Sequence, residues 1–493
     1  MLARANSDQR YRSKIIMTRA DVSYSSNWDR FASLPGSLTH SSYNRQYADH
    51  YKARLAMLRN RCLSMRERSH KRDEFKVINR IIELAEDTPS TVIGTVIKSS
   101  PGRPKVDSGH RSSFEPISYL GVAYDEGDDS FAQAHYCRSE DSIVLEDESG
   151  RVELELCMKD DKNKKVLGVE SLPSGAVVAV DGIVKGSTGI FSVVNVHFPQ
   201  IEKDADPIDT FEVEDSLVAF VSGLDCGGGE LSSEETSLNR EMLIDYLTGH
   251  FSMEKGSKIC RVIIAGGGCA KPSKPKSSEA GWIPSNSKEI DKENITAPIS
   301  ELDLFISELC AAGIQVDYIP GLSDPTNANW PQKPLHPCLM PMAERYGMLN
   351  RSPNPYGAII GGVEFLGSDG QNIFDLQRYV AKKIEHRGEE GKEVELEDVS
   401  SLEALELTLL FNHLAPTGPD SLPTYPVEKE DPFVIDKCPN VFFAGNCVQY
   451  ETTLKNSSTR LICIPSFSTS GQAVLMNLKT LKCKVIKFEG ADK

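Results

Sequence analysis

From about residue 210 onward, short continuous apolar runs alternate with amphipathic ones, and this alternation limits the possible folds more than any other feature of the chain. DSLVAFVSGLDCGGG reads as a buried strand entering a loop, ETSLNREMLIDYLTGH as a helix and ICRVIIAGGG as a second strand. ISELDLFISELCAAG reads as a second helix and IQVDYIPGLSDP as a third strand. A continuously apolar strand has no face to offer to water, so it needs cover on both sides; strand–helix alternation supplies that cover as an α/β arrangement. YGAIIGGVEFLGSDGQN, LELTLLFNHLAPTGPDSL, NVFFAGNC and RLICIPSFSTSGQAVLMNL read as further β-rich runs with loops at their C-terminal ends. Two stretches break the pattern of this 206–493 domain. The Pro/Ser/Lys-rich residues 269–297 and the charge-dense residues 386–401 are expected to be flexible insertions.

Upstream the periodicity is different. Residues 74–205 read as all-β after a short helix from Phe75 to Leu84. STVIGTVIK is a strand with a glycine, Gly94, where a bulge or sharp bend is expected. SIVLEDESGRVELELC reads as a hairpin turning at Glu148–Gly150, and GAVVAVDGIVKGSTGIFSVVNVHFP as another strand pair. In Phe191–Phe198, the residues Val194, Val196 and Phe198 are expected to face the interior. Short bent strands in this number suit a small barrel of the OB type, with 99–140 as a polar surface insertion. Tyr43, Tyr47, Tyr51, Leu55 and Leu58 recur at helical spacing and predict a docking helix within 43–73. Residues 1–42 are polar, lack periodicity and are expected to form a flexible tail.

Composition narrows the function classes. The formal net charge is −16, which argues against a chain that grips nucleic acid by itself, because that affinity comes from Lys and Arg neutralising phosphates. Acidic residues also outnumber basic ones across the barrel region, so direct single-strand binding is the weaker reading there. The 12 cysteines include no CxxC pair, which points to reduced structural thiols in an intracellular protein rather than a zinc or iron–sulfur site. No run approaches the ~18 apolar residues of a membrane span.

Strand-end loops carry the chemistry of α/β folds. Here they read SGLDCG (222–227), AGGG (265–268), PGLSDP (320–325), NHLAPT (412–417) and AGNCVQ (444–449). In order and framing they resemble the five blocks of the calcineurin-like metallophosphoesterases. Those enzymes bridge two cations about 3.5–4 Å apart with a carboxylate and cap them with His and Asn. By that resemblance, the first-block Asp falls on Gly223 and its His on Asp225. The bridging Asp falls on Gly267, the third-block Asn on Leu322 and the general-acid His on Ser323, while Asp324 and His413 match. The two fifth-block His positions are Asn446 and Val448. The residues therefore predict a phosphoesterase frame without a catalytic centre, cofactor or metal. The alternative is a divergent active metallophosphoesterase using Asp225, Asp324, His413 and Asn446.

An OB-like domain followed by such a frame resembles the B subunits of the eukaryotic replicative DNA polymerases, and most closely their delta branch. The matching stretches are YNRQYADHYKARL (43–55), FVSGLDCGGG (220–229), DPTNANWPQKPLHPC (324–338), FLGSDGQNIFDLQRY (365–379), HLAPTGPDSLPTYP (413–426) and DPFVIDKCPNVFFAGN (431–446). The resemblance implies a four-layer β-sandwich flanked by helices plus the barrel, in a non-catalytic scaffold subunit located in the nucleus. It implies two partners: the Cys-rich C-terminal module of the polymerase delta catalytic subunit, and a third accessory subunit. DNA contact would be indirect or weak.

Overall fold

The computed structural model describes residues 19–32, 46–68, 74–103, 135–156, 168–199, 201, 215–228, 234–251, 256–270, 292–388, 391–427, 429–456 and 458–489. After a short strand β1 (Tyr24–Ser26) and a single turn α1 (Asp29–Ala32), helix α2 (Tyr47–Glu67) leads into β2 (Lys76–Val77). A five-stranded barrel follows, built from β3 (Ser90–Ser99), β4 (Ser142–Glu146), β5 (Arg151–Leu156), β6 (Val177–Val184) and β7 (Phe191–His197). The strand order is β3-β4-β5-β7-β6, and pairing of β3 with β6 closes the ring. Closure requires β3 to change partners midway. Thr95 pairs with Val177 of β6 and with Glu146 of β4. At neighbouring Gly94 a Cβ would lie 2.7 Å from the Glu146 carbonyl oxygen, so the change needs glycine. The interior is filled by Val92, Val96, Ile143, Leu145, Val178, Val180, Phe191 and Val193.

In the frame, one six-stranded sheet has the order β11-β10-β9-β8-β19-β20. Its members are β8 (Leu217–Val221), β9 (Ile259–Ala265), β10 (Gln315–Ile319), β11 (Leu349–Arg351), β19 (Gln472–Asn477) and β20 (Cys483–Lys487). The second sheet has the order β1-β12-β13-β16-β18-β17. It comprises β12 (Tyr356–Ile360), β13 (Val363–Ser368), β16 (Val441–Cys447), β17 (Glu451–Lys455) and β18 (Thr459–Pro465), together with β1. Val218, Phe220, Ile263, Tyr356, Phe365, Phe443 and Ile462 pack between the two sheets. Helices α3 (Glu234–Thr248) and α4 (Lys292–Ala311) cover the first sheet, and α5 (Gln371–Tyr379) and α6 (Ser401–Leu410) cover the second. A one-turn α7 (Phe467–Ser470) links β18 to β19. The result is the expected four-layer helix–sheet–sheet–helix frame beside a barrel.

Several local expectations are corrected. Phe75 to Leu84 is not a helix; it holds β2 and a single 3-10 turn at Ile81–Glu83. Val194 is 44% exposed rather than interior. It is the extra residue of a bulge, because Asp181 pairs with Asn195 and Gly182 with Val193; the bulge lets Val193 and Val196 both turn inward. Part of the expected flexible tail is packed: Phe31 is buried and β1 pairs along β12. Of the 386–401 stretch, the backbone pairs as a hairpin, β14 (Lys382–Gly388) with β15 (Gly391–Glu397). The following LELTLL run is helical and not β, because Ser400 and Glu403 form a reciprocal capping box that starts α6. Residues 104–134 of the polar insertion and 271–291 of the 269–297 insertion lie outside the described residues, whereas 292–297 of the latter are not an irregular insertion but the start of α4.

Candidate functional site

Strands β8, β9 and β10 are parallel and end side by side, and β13 and β16 of the facing sheet end against them. The loops that leave these ends are stitched by backbone bonds: Gly223 N–H donates to Gly266 O (2.9 Å), and Asp225 N–H to Gly267 O (3.0 Å). What remains between the loops is very tight. Gly267 has φ +67°, and a Cβ there would stand 2.9 Å from Asn446 Oδ1 and 3.0 Å from Gly223 Cα. Gly223 has φ +62°, with Asn446 Oδ1 2.8 Å and Ser466 Oγ 2.2 Å from its hypothetical Cβ. The two glycines thus abut each other, and Asn446 Oδ1 lies against both.

Asn446 itself has φ +50°. Its Nδ2 donates to Asp369 O (2.9 Å) and Ala265 O (3.3 Å), while its backbone N–H donates to Ser222 Oγ (2.9 Å). A neutral amide therefore holds the centre, and its hydrogen bonds go to backbone carbonyls. Asp225 Oδ2 accepts from Ser468 Oγ (2.5 Å). Asp324 is buried and accepts from the N–H groups of Cys269 (2.9 Å) and Gly321 (2.7 Å). Burial pushes its pKa up against the pull of these donors. Leu322 (40% exposed) and Val448 (86% exposed) stand at the rim, and Ser323 is half-buried.

His413 is elsewhere. Its Nε2 lies 2.9 Å from Asp431 Oδ2, and its Nδ1 accepts from Ala415 N–H (3.1 Å), so Nε2 carries the proton donated to the carboxylate. The same carboxylate oxygen is 2.9 Å from His50 Nε2 and 2.8 Å from Arg54 Nε. Arg54 also donates to the carbonyls of Gly175 (3.1 Å), Pro416 (2.9 Å) and Gly418 (2.7 Å). This is a buried junction joining α2, a barrel loop and the frame. Burial, with Arg54 next in effect, lowers the His413 pKa to about 4. For Asp431, burial opposes ionisation, but His413 and Arg54 outweigh it and hold the carboxyl well below its usual value. On α2 the buried face is His50, Arg54, Leu58 and Cys62, while Tyr47 of the expected tyrosine stripe is 44% exposed.

The structure therefore gathers Gly223, Asp225, Gly267, Asp324 and Asn446, leaves Leu322, Ser323 and Val448 at the margin, and separates His413. The sequence reading missed Asp369, which packs under the glycine loops: a Cβ on Gly266 would lie 2.4 Å from Asp369 Cβ. Asp369 accepts from Asn354 Nδ2 (2.7 Å) and Gln371 Nε2 (2.6 Å), and burial raises its pKa to about 6. Its signal was the SDGQ turn inside the 365–379 stretch. The carboxylates present are each engaged by amides, hydroxyls or N–H groups. Among the described residues, no group of three or more His, Cys, Asp or Glu is placed to hold a metal ion.

Residues 218–453 match the B-subunit family of DNA polymerases alpha and epsilon. Residues 46–196 match the OB-fold domain family of the DNA polymerase delta subunit. A DNA polymerase delta small subunit from Oryza sativa is 32% identical over 421 residues, covering 83% of this chain and 86% of the relative. The small subunit from Arabidopsis thaliana is 32% identical over 460 residues, covering 90% of this chain and 91% of the relative. A solved dimetal phosphatase from Danio rerio is 10% identical and covers 56% of this chain and 100% of its own. Its TM-score is 0.23, too weak a match to argue from.

Proposed function

Since this chain belongs to the DNA polymerase delta small-subunit family, we propose that it is a scaffold that hydrolyses nothing and joins two other chains of the replicative polymerase. An accessory role in DNA replication follows from the family. The finer reading is that one surface holds the Cys-rich C-terminal module of the catalytic subunit and another holds a third accessory subunit, within the nucleus. The net charge of −16 is compatible with holding a basic, metal-bearing module.

The observation that carries this reading is the Gly223–Asn446–Gly267 contact. A phosphoesterase needs a side-chain carboxylate between its cations. Here that position is a glycine whose missing Cβ has only 2.9 Å to the nearest atom of Asn446. Such a frame retains its surface and not its chemistry.

Co-expression with the catalytic and third subunits tests the reading. One stoichiometric complex is expected, and the third subunit should be lost from the catalytic subunit when this chain is omitted. Recovery of the chain as a free monomer, with the other two still associated, would overturn the bridging role. Elemental analysis of the purified chain supplies the second arm. Two transition-metal ions per chain with manganese-stimulated phosphodiesterase activity would replace the scaffold by an active hydrolase.

A further inference from the structure

The longest run of the chain without an acidic residue is 452–488, and it holds Lys455, Arg460, Lys479, Lys482, Lys484 and Lys487. This run stands out in a chain whose formal net charge is −16. The fold gathers its basic residues at one place. Arg460 Nε donates to Leu481 O (2.8 Å), which sets the start of β18 beside the turn from β19 to β20. That place is the end of the frame away from the glycine loops. Asn477, the last residue of β19, pairs with Leu217 at the start of β8, whereas Gly223 lies past the other end of β8.

The turn itself is tight. Leu481 has φ +53°, its N–H donates to Asn477 O (2.8 Å), and Asn477 N–H donates to Lys482 O (3.0 Å). Leu478 and Leu481 are buried, while Lys479, Lys482 and Lys484 are exposed. Among the described residues none of these three lysines has an ion-pair partner. Carboxylates close by are already engaged: Asp215 receives Lys258 (3.1 Å) and Asn477, and Glu489 receives Lys487. Three ammonium groups gathered without counter-charge repel one another, and an anion placed among them removes that cost. Negative charge elsewhere on the chain does not supply it, because exposed charges farther apart than about 10 Å are screened in ordinary salt.

The form of the patch selects the kind of anion. A protein partner is anchored by an apolar core to the contact, and this turn keeps both of its leucines inside. A phosphate backbone needs only cations and donors. Lys482 and Lys484, two positions apart on extended chain, have Cα atoms about 7 Å apart. A DNA strand presents a phosphate about every 3.4 Å along its axis, so such a pair spans two steps of a regular polyanion.

We propose that the β19–β20 turn and edge form a contact for the phosphate backbone of duplex DNA, made by Lys479, Lys482 and Lys484 without reading sequence. The contact lies on the frame and not on the barrel, and with three lysines it is weak and salt-sensitive. That the polyanion is DNA rests on the accessory role in replication; the contact itself rests on the lysines.

The test titrates the full chain with a short fluorescein-labelled duplex between about 50 and 200 mM salt. The parent should bind at the lowest salt and lose affinity as salt rises. The Lys479→Ala, Lys482→Ala, Lys484→Ala triple variant should bind about tenfold or more weakly at the lowest salt, and its log–log salt slope should be shallower by about 2–3. The matching triple arginine variant should keep the parental slope, which separates lost charge from lost fold. The proposal is overturned if the parent binds no duplex at the lowest salt, or if the alanine variant keeps the parental slope. It is also overturned if polyglutamate binds the parent more tightly than the duplex does, which would make the patch a seat for an acidic protein segment. None of these outcomes touches the bridging role, which is read from subunit association.

Discussion

Arg54 Nε lies 2.8 Å from Asp431 Oδ2, and neither side chain reaches solvent. Taking two charges out of water costs several kcal/mol each, so such a pair survives only where every remaining donor is engaged. Arg54 meets that condition through three carbonyls, and Asp431 through two imidazoles and the Phe433 N–H.

Breaking this pair from one side leaves an uncompensated buried charge. Asp431→Asn is expected to destabilise the chain by about 3–5 kcal/mol. Arg54→Met combined with Asp431→Asn should cost less than the two single changes added together. Urea denaturation of the three variants measures both quantities; strict additivity would mean that the residues do not act as a pair.

His413 makes stability depend on pH. Its pKa is about 4 in the fold against 6.5 ordinarily, so protonation favours the unfolded chain. Its contribution is fully present above 6.5 and is lost as pH falls toward 4. Asp369 works in the opposite direction. With a folded pKa of about 6 against 3.8, its contribution is present below 3.8 and lost as pH rises to about 6. Wild type alone would therefore blur the two. The difference in denaturation midpoint between wild type and His413→Gln, followed from pH 7.5 down to 4.5, should shrink steadily as acid is added; a constant difference would refute the assignment.

Restoring the missing carboxylate should fail. Gly267→Asp must place a Cβ 2.9 Å from Asn446 Oδ1 at a φ of +67°. A cost of about 1–3 kcal/mol is expected from backbone strain before any crowding is counted. Calorimetric titration with manganese should detect no tight site. Tight binding by this variant would mean that the pocket can reopen.

Asp324 holds two loops by their N–H groups, one with each oxygen. Asp324→Asn turns an amide NH2 toward one of those donors and is expected to cost about 1–3 kcal/mol. Faster amide exchange at Cys269 or Gly321 would report the loosening, and unchanged exchange at both would argue against this role.

The layered frame was legible because its strands are apolar throughout and its helices are amphipathic, and that contrast survives in the sequence as a change of period. The glycines at the strand ends, Gly223 and Gly267, were legible, but the closeness of Asn446 Oδ1 to both was not, because it depends on which loops the fold brings together. The setting of His413 was not legible either: its partner Asp431 lies 18 positions downstream, but the His50 and Arg54 that share that carboxylate lie more than 350 positions upstream on another element, and no local pattern records such a junction. The packing of residues 19–32 was not legible because Tyr24, Trp28 and Phe31 are separated by polar and charged residues, so their hydrophobic share is diluted. The LELTLL run misled for a different reason. Its Leu and Thr content fits a strand, and only the Ser400–Glu403 box settles it as a helix.

The carbonyls that receive Arg54 belong to both bodies of the protein, Gly175 to the barrel side and Pro416 and Gly418 to the frame. A hinge between barrel and frame would have to abandon several charge-assisted bonds at once. The angle between the two surfaces is therefore set before any other chain arrives. A binder that spans both meets a finished contour, and none of its binding energy is spent halting a swinging domain.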